Sequence, residues 1–141
     1  MPNTAIEVMS SMTFVSARNA SKEQTDLIIH IFNELGNAML VEERLMGAGT
    51  ALASSGIAFA LRYIRAAIEG GVELGFYPKQ AQEIVVHTVK GAVDLLLENK
   101  SNPETEIDKV TTPGGITIKG LNEMELSGFT SSVIRGLKAS K

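Results

Sequence analysis

The chain has 141 residues, a net charge of −3 and no cysteine; its pI is near 5.4 and its mean hydropathy +0.11. That is enough apolar content for one domain with a small appendage, while the lack of any basic run argues against a nucleic-acid partner. Without cysteine there are no disulfides, thiolate metal sites or Cys nucleophile, and the composition suits a reducing cytoplasm.

The N-terminus lacks the basic start and apolar run of a signal peptide. MTFVSA at 12–17 is a short β-prone run. Ser21-Lys22-Glu23-Gln24 is a capping box, with Ser21 as N-cap and Gln24 three residues on. The helix it opens runs to about Leu35, with Ile28, Ile31, Phe32 and Leu35 on its buried stripe and Gly36 as the residue that stops it. NAMLV at 37–41 is a second short strand. Strand, helix and strand at this spacing predict one parallel βαβ unit.

From Glu42 onward the chain reads as all helix. A helix over 42–53 is expected to break near Ser54-Ser55-Gly56, and a second over 57–74 carries Ile57, Leu61, Ile64, Ile68 and Val72 on one stripe. The uncharged run 45–61 is slightly short for a membrane span and rich in small residues, so a buried helix pair explains it. Gly47-Ala48-Gly49 is the only Gly-x-Gly. It lies inside a helical run with no strand feeding it and no acidic residue at ribose-binding distance, so it is not a dinucleotide fingerprint. There is no phosphate-binding GxxxxGK[ST] loop either. Gly75 to Pro78 breaks the helix, and a long helix follows to about Glu98. Val85, Val89, Ala92 and Leu96 form its stripe, widened by Ile84, Val93 and Leu97. A stripe this wide needs contacts on more than one side. Pro103 starts a short helix through Asp108, and a last helix covers 128–138.

The densest chemistry lies at 110–125, VTTPGGITIKGLNEME. Pro113 fixes its own φ and Gly114 can take φ > 0, as a type II turn requires. Gly115 lacks a Cβ that would hold a ligand off the backbone. The turn opens a helix, whose first N–H groups favour an anion. Thr112 and Thr117 add hydroxyls. By physics alone this is either an ordinary helix-entry turn or a site for a small anion with one further polar group. His30 and His87 sit on polar helix faces without a metal-spaced partner, so no metal site is expected. Glu42, Glu43, Glu123 and Glu125 read as solvated helix charges.

This turn resembles the signature of the pyrroline-5-carboxylate reductase family, in which Thr/Ser-Pro-Gly-Gly-x-Thr precedes a short helix. MPNTAIEVMSSMT at the front, VEERLMGAGT at 41–50, SSGIAF at 54–59 and GVELGFYPKQAQEIVVHTVKGAV at 71–93 resemble the family's segments in the same order. Departures are Ala5 and Ile57, where proline is usual, and Gly47, where an acidic residue is usual.

The resemblance implies a mainly α fold: a helical bundle forming an intertwined homodimer, preceded by a small βαβ remnant of a Rossmann-type domain. Residues 1–41 would be the edge of a nucleotide-binding domain, and 42–141 the helical dimerisation and substrate-binding domain. The implied reaction is reduction of 1-pyrroline-5-carboxylate to L-proline by NADPH or NADH in the cytoplasm. The substrate carboxylate would take backbone N–H groups from Gly114, Gly115, Ile116 and Thr117, with Thr112 touching it from the other side. The Thr117 hydroxyl would reach the ring nitrogen as the catalytic contact. Asn3 would lie near the nicotinamide. With most of the cofactor domain absent, no dinucleotide is expected on this chain, and no activity from it alone. Two other readings stay open: a non-catalytic helical dimerisation module, and the helical domain of another small-acid dehydrogenase. No membrane or nucleic-acid partner is expected.

Overall fold

A computed structural model describes every residue from Met1 to Lys141. The regular elements are β1 (Ser11–Val15), α1 (Lys22–Asn33), β2 (Gly36–Leu40), α2 (Met46–Gly49), α3 (Ser55–Glu73), α4 (Pro78–Asn99), α5 (Pro103–Lys109), α6 (Ile116–Leu126) and α7 (Phe129–Ala139). The fold is thus mainly helical with one small sheet, as the sequence predicts. It forms two compact units, Met1–Ala60 with Val133–Lys141, and Leu61–Ser132.

In the first unit β1 and β2 pair in parallel, from Ser11 opposite Gly36 to Val15 opposite Leu40. The capping box forms: Gln24 N–H donates to Ser21 Oγ at 3.2 Å and Ser21 N–H to Gln24 Oε1 at 2.9 Å. Gly36, however, does not stop α1. It is the first residue of β2 with φ 140°, and a Cβ there would lie 2.2 Å from the Ser11 carbonyl oxygen. Close strand approach requires the glycine, not helix termination.

The buried face of β1 holds a polar chain. Thr13 and Ser11 are almost fully buried, their hydroxyls 3.1 Å apart, and Asn3 N–H donates to Ser11 Oγ at 3.2 Å. Each buried hydroxyl therefore has a partner, which removes the cost of desolvating it alone. Phe14 packs against α2 at Gly49, where a Cβ would fall 2.6 Å from the Phe14 ring. The other face of α1 is uncovered. Ile28 and Ile31, expected inside, are 41% and 46% exposed, because a sheet of two strands cannot cover the helix stripe.

The expected break at Ser54-Ser55-Gly56 is absent. A helical rod runs from Glu43 to Glu73 through a π turn at Thr50–Ser54. Small residues let the backbone absorb the extra residue. The Thr50 hydroxyl donates to the Met46 carbonyl at 2.9 Å, and the Asn3 amide takes the Ala53 carbonyl at 3.2 Å. Nor is this rod a buried helix pair: its most apolar window is only 6% buried, although it is long and apolar enough to cross a membrane.

In the second unit α3 turns into α4 through Gly75, at φ 105°. The helices approach so closely that a Cβ on Gly71 would lie 3.1 Å from that of Ala81, which is 2% exposed. Pro78 opens α4, where its missing N–H has no intrahelical partner to lose. On α4 the wide stripe is only half covered, with Ile84, Val93 and Leu97 at 46%, 49% and 70% exposure.

The Phe14 contact makes the two nearby glycines inequivalent. Gly49→Ala is expected to destabilise the chain by about 1–3 kcal/mol through overpacking. Gly47→Ala, whose Cβ meets nothing within 4 Å, should be neutral or stabilise by up to about 1 kcal/mol through helix propensity. Chemical denaturation of the two variants measures both.

Candidate functional site

Short α5 leads into the candidate site. Asn102 caps it, accepting from Thr105 N–H at 3.1 Å, and Pro103 begins it. At its end Thr111 N–H donates to the Asp108 carbonyl at 3.2 Å and the Thr111 hydroxyl to the Ile107 carbonyl at 2.7 Å. These bonds tie the following turn to α5.

Thr112-Pro113-Gly114-Gly115 then forms a type II turn. Gly115 N–H donates to the Thr112 carbonyl at 2.9 Å and Gly114 has φ 70°, the left-handed conformation required at the third position. Gly115 is the N-cap of α6, in extended conformation, and no side chain caps the helix. A Cβ on Gly115 would lie 2.6 Å from Thr112 Oγ1 and 3.0 Å from its carbonyl oxygen. The absent side chain thus lets the Thr112 hydroxyl fold over the helix entrance.

Thr117 is the second residue of α6 and half-buried, while Ile116 is 87% exposed. Gly115, not Thr117, occupies the cap, so the Thr117 hydroxyl is not committed to capping. Unlike that of Thr111, the hydroxyls of Thr112 and Thr117 have no hydrogen-bond partner within the chain. Around one turn the sequence therefore brings together the uncapped N–H groups at the start of α6 and two available hydroxyls. Thr112, Gly114, Gly115, Ile116 and Thr117 are contiguous in space as well as in sequence.

Asn3 lies in the other unit and is buried. It is 8% exposed, its Oδ1 accepts from Ala5 N–H at 3.1 Å, and its Nδ2 donates to the Ala53 carbonyl at 3.2 Å. It caps the short Thr4–Val8 turn and clasps the π turn. Gly47 and Gly49 are helical, so the Gly-x-Gly is a packing feature. His30 and His87 are exposed.

Sequence reasoning missed one cluster. Glu106, 12% exposed, accepts from Ser101 Oγ at 2.5 Å, Asn99 Nδ2 at 3.3 Å and Lys109 Nζ at 2.8 Å. The Lys109 ammonium first, and then the Ser101 hydroxyl, hold its carboxyl below the ordinary 4.5. Only the Glu106/Lys109 spacing of three in a short helix was visible in the sequence. A surface groove of about 390 Å³ lies at the far end of α6, lined by Glu123, Met124, Ser127 and Phe129. Its nearest lining residue, Glu123, stands seven residues along α6 from Ile116, roughly 10 Å at the usual rise, so it does not serve that site.

Fold and turn together define a mainly helical domain that follows a parallel βαβ segment and presents an uncapped helix entrance. The same architecture appears in solved reductases. A pyrroline-5-carboxylate reductase from Coxiella burnetii matches with TM-score 0.95 and 28% identity, over 99% of this chain and 53% of that one. A Plasmodium falciparum pyrroline carboxylate reductase with NADP bound matches with TM-score 0.92 and 28% identity, over 99% of this chain and 58% of that one. Residues 43–141 match the family model for pyrroline-5-carboxylate reductase dimerisation, and the chain belongs to that family.

Among sequence relatives, pyrroline-5-carboxylate reductase 1 of Dictyostelium discoideum is 45% identical over 99% of this chain and 28% of its own length. Pyrroline-5-carboxylate reductase 2 of the same organism is 40% identical over 99% of this chain and 51% of its length, and the Aquifex aeolicus enzyme 40% over 95% and 51%. The chain thus spans about half the length of most of these relatives, and less of the first.

Two outcomes follow from the turn and its support. Gly114→Ala must place a Cβ in a left-handed residue and should cost about 1–2 kcal/mol in denaturation experiments. The Glu106 carboxyl is held down in the folded chain, so its contribution is fully present above its unfolded value of 4.5 and fades as pH falls through the lower folded value. Acid should therefore loosen α5, while stability near neutrality stays insensitive to this group. NMR of the Val110 and Thr111 amides during acid titration checks it.

Proposed function

We propose that this chain is the dimerisation and substrate-binding part of a reductase that converts 1-pyrroline-5-carboxylate to L-proline with NADPH or NADH. The observation that carries the reading is the open type II turn at Thr112 to Gly115, set directly on the uncapped start of α6. A substrate carboxylate fits there, against N–H groups from Gly114 to Thr117, with the Thr112 hydroxyl on its other side. The Thr117 hydroxyl then faces the ring nitrogen. Reduction of the C=N bond places electron density on that nitrogen, which must be, or become, protonated. A hydroxyl oriented there stabilises the change and fixes which ring carbon is presented. Threonine's ordinary acidity makes it an orienting donor and not the proton source, so the proton comes from solvent or from an iminium already protonated.

The dinucleotide supplies the hydride when bound, but this chain's own residues do not fit it. Asn3 is engaged by Ala5 and Ala53. We therefore assign substrate orientation to this chain and no cofactor contact, so that by itself it should reduce nothing. Residues 1–41 act as the edge of an α/β sheet and 42–141 as the helical domain; the family match, which begins at residue 43, supports that division.

A homodimer follows from the uncovered surface. The chain exposes 10768 Å², against about 7,100 Å² for a self-contained protein of this mass. The apolar flanks of α3 and α4 suit a second copy, and the absence of cysteine suits a cytoplasmic site. We read the Glu43–Glu73 rod as partner-facing and not membrane-spanning, because Ser and Gly within it favour close helix packing. The uncovered apolar flanks of α3 and α4 also suit a second reading, a dimerisation module with no ligand.

Calorimetric titration with L-proline and with cyclopentanecarboxylate separates the two. Binding to the wild-type chain, weakened roughly tenfold for proline in Thr117→Ala by loss of one charged or polar hydrogen bond, is the expected result. Cyclopentanecarboxylate, which has no ring nitrogen, should bind both forms alike. A folded dimer that takes up neither compound would establish the module reading instead.

A further inference from the structure

The signature turn hangs from α5, and α5 is a helix of seven residues. A helix this short does not hold its place through its own hydrogen bonds. Its only half-buried side chains are Glu106 and Ile107. What locates it against the end of α4 is therefore Ile107 and one carboxylate.

That carboxylate gathers three segments. Asn99, the last residue of α4, donates to Glu106 Oε1 at 3.3 Å, and Ser101, in the connecting loop, donates to the same oxygen at 2.5 Å. Lys109, the last residue of α5, reaches Oε1 at 2.8 Å and Oε2 at 3.0 Å. Between the first two donors the chain reverses at Lys100, a non-glycine residue at φ 49°. A left-handed residue without glycine needs its surroundings to hold it, and the donors on either side of Lys100 converge on Glu106. From α5 the linkage passes on through Thr111, whose N–H and hydroxyl are bonded to Asp108 and Ile107, to the turn at Thr112. Glu106 touches none of the groups that would meet a ligand.

We infer that Glu106 is a positioning residue for the anion-binding turn: its carboxylate ties the end of α4 to α5 and so sets where the N–H groups of Gly114 to Thr117 stand. The inference rests on the ligand reading above. Binding by several convergent donors is sensitive to displacements near 1 Å, so freeing α5 should weaken the ligand without unfolding the helices.

The test is calorimetric titration of L-proline into the full chain and its variants, with the thermal midpoint recorded for each. Glu106→Ala should bind roughly tenfold more weakly, the scale of one charge-assisted hydrogen bond. Glu106→Gln, which keeps an acceptor for Ser101 and Lys109, should recover most of that loss. Ser101→Ala removes one donor outside any helix and should weaken binding by about threefold; it serves if Glu106→Ala does not fold. Thermal midpoints should not follow the order of the affinities. Wild-type binding that Glu106→Ala and Ser101→Ala leave unchanged would overturn this inference and leave the turn's role standing. Affinity losses that track the drop in midpoint would overturn it too, by reducing Glu106 to a fold-stabilising residue. No binding by the wild-type chain removes the ligand reading, and this inference with it.

Discussion

Uncovered apolar surface governs this molecule. The chain leaves roughly 3,700 Å² more exposed than a self-contained protein of its mass would. Its hydrophobic core is correspondingly slight: Phe14, Ala51 and Ala81 are its buried hydrophobic residues. Burial at about 25 cal/mol per Å² is the main driving term in folding, so helices that leave Leu61, Val93 and Leu97 in water are unfinished by themselves. Counted over two copies the excess is about 7,400 Å², more than the roughly 2,000–5,000 Å² total of a usual obligate interface. Family membership in a dimerisation domain and the wide stripe on α4 express the same constraint.

The polar parts are built differently. They are small, local and complete. Asn3, Ser11 and Thr13 satisfy one another under the sheet, and no buried side-chain polar atom lacks a partner. At the signature turn each glycine does a different job: Gly114 adopts the left-handed conformation, and Gly115 leaves room for the Thr112 hydroxyl. Glu106 completes the frame from below. The turn therefore keeps its geometry through short-range bonds, even though the surrounding helices await a partner. That separation lets a locally braced turn sit on a domain whose larger apolar surfaces are uncovered.

Much of this was legible in the residues, for identifiable reasons. The capping box, the parallel strand pair, Pro78 at the start of α4 and the type II turn are local rules, and the chain obeys them. The misreadings occurred where tertiary contacts outrank local signals. Ser54-Ser55-Gly56 looked like a break, yet the Asn3 amide and the Thr50 hydroxyl accommodate a π turn and the helix continues. Gly36 looked like a helix stop, yet it is there because β1 passes within van der Waals distance. Ile28 and Ile31 looked buried, because periodicity shows that a face is apolar but not what covers it.

The sequence by itself determined the helical class, the order of the elements and the turn at Thr112 to Gly115, since each follows from contacts a few residues apart. It also carried the family, through motifs in order along nearly the whole chain. Only the tertiary structure decided that Asn3 is a buried clasp, that Gly49 seats Phe14, and that Glu106 anchors the helix beneath the turn. Those roles depend on groups brought together across folded segments, in one case 50 residues apart, and no local pattern encodes which distant donor a buried amide or carboxylate will meet.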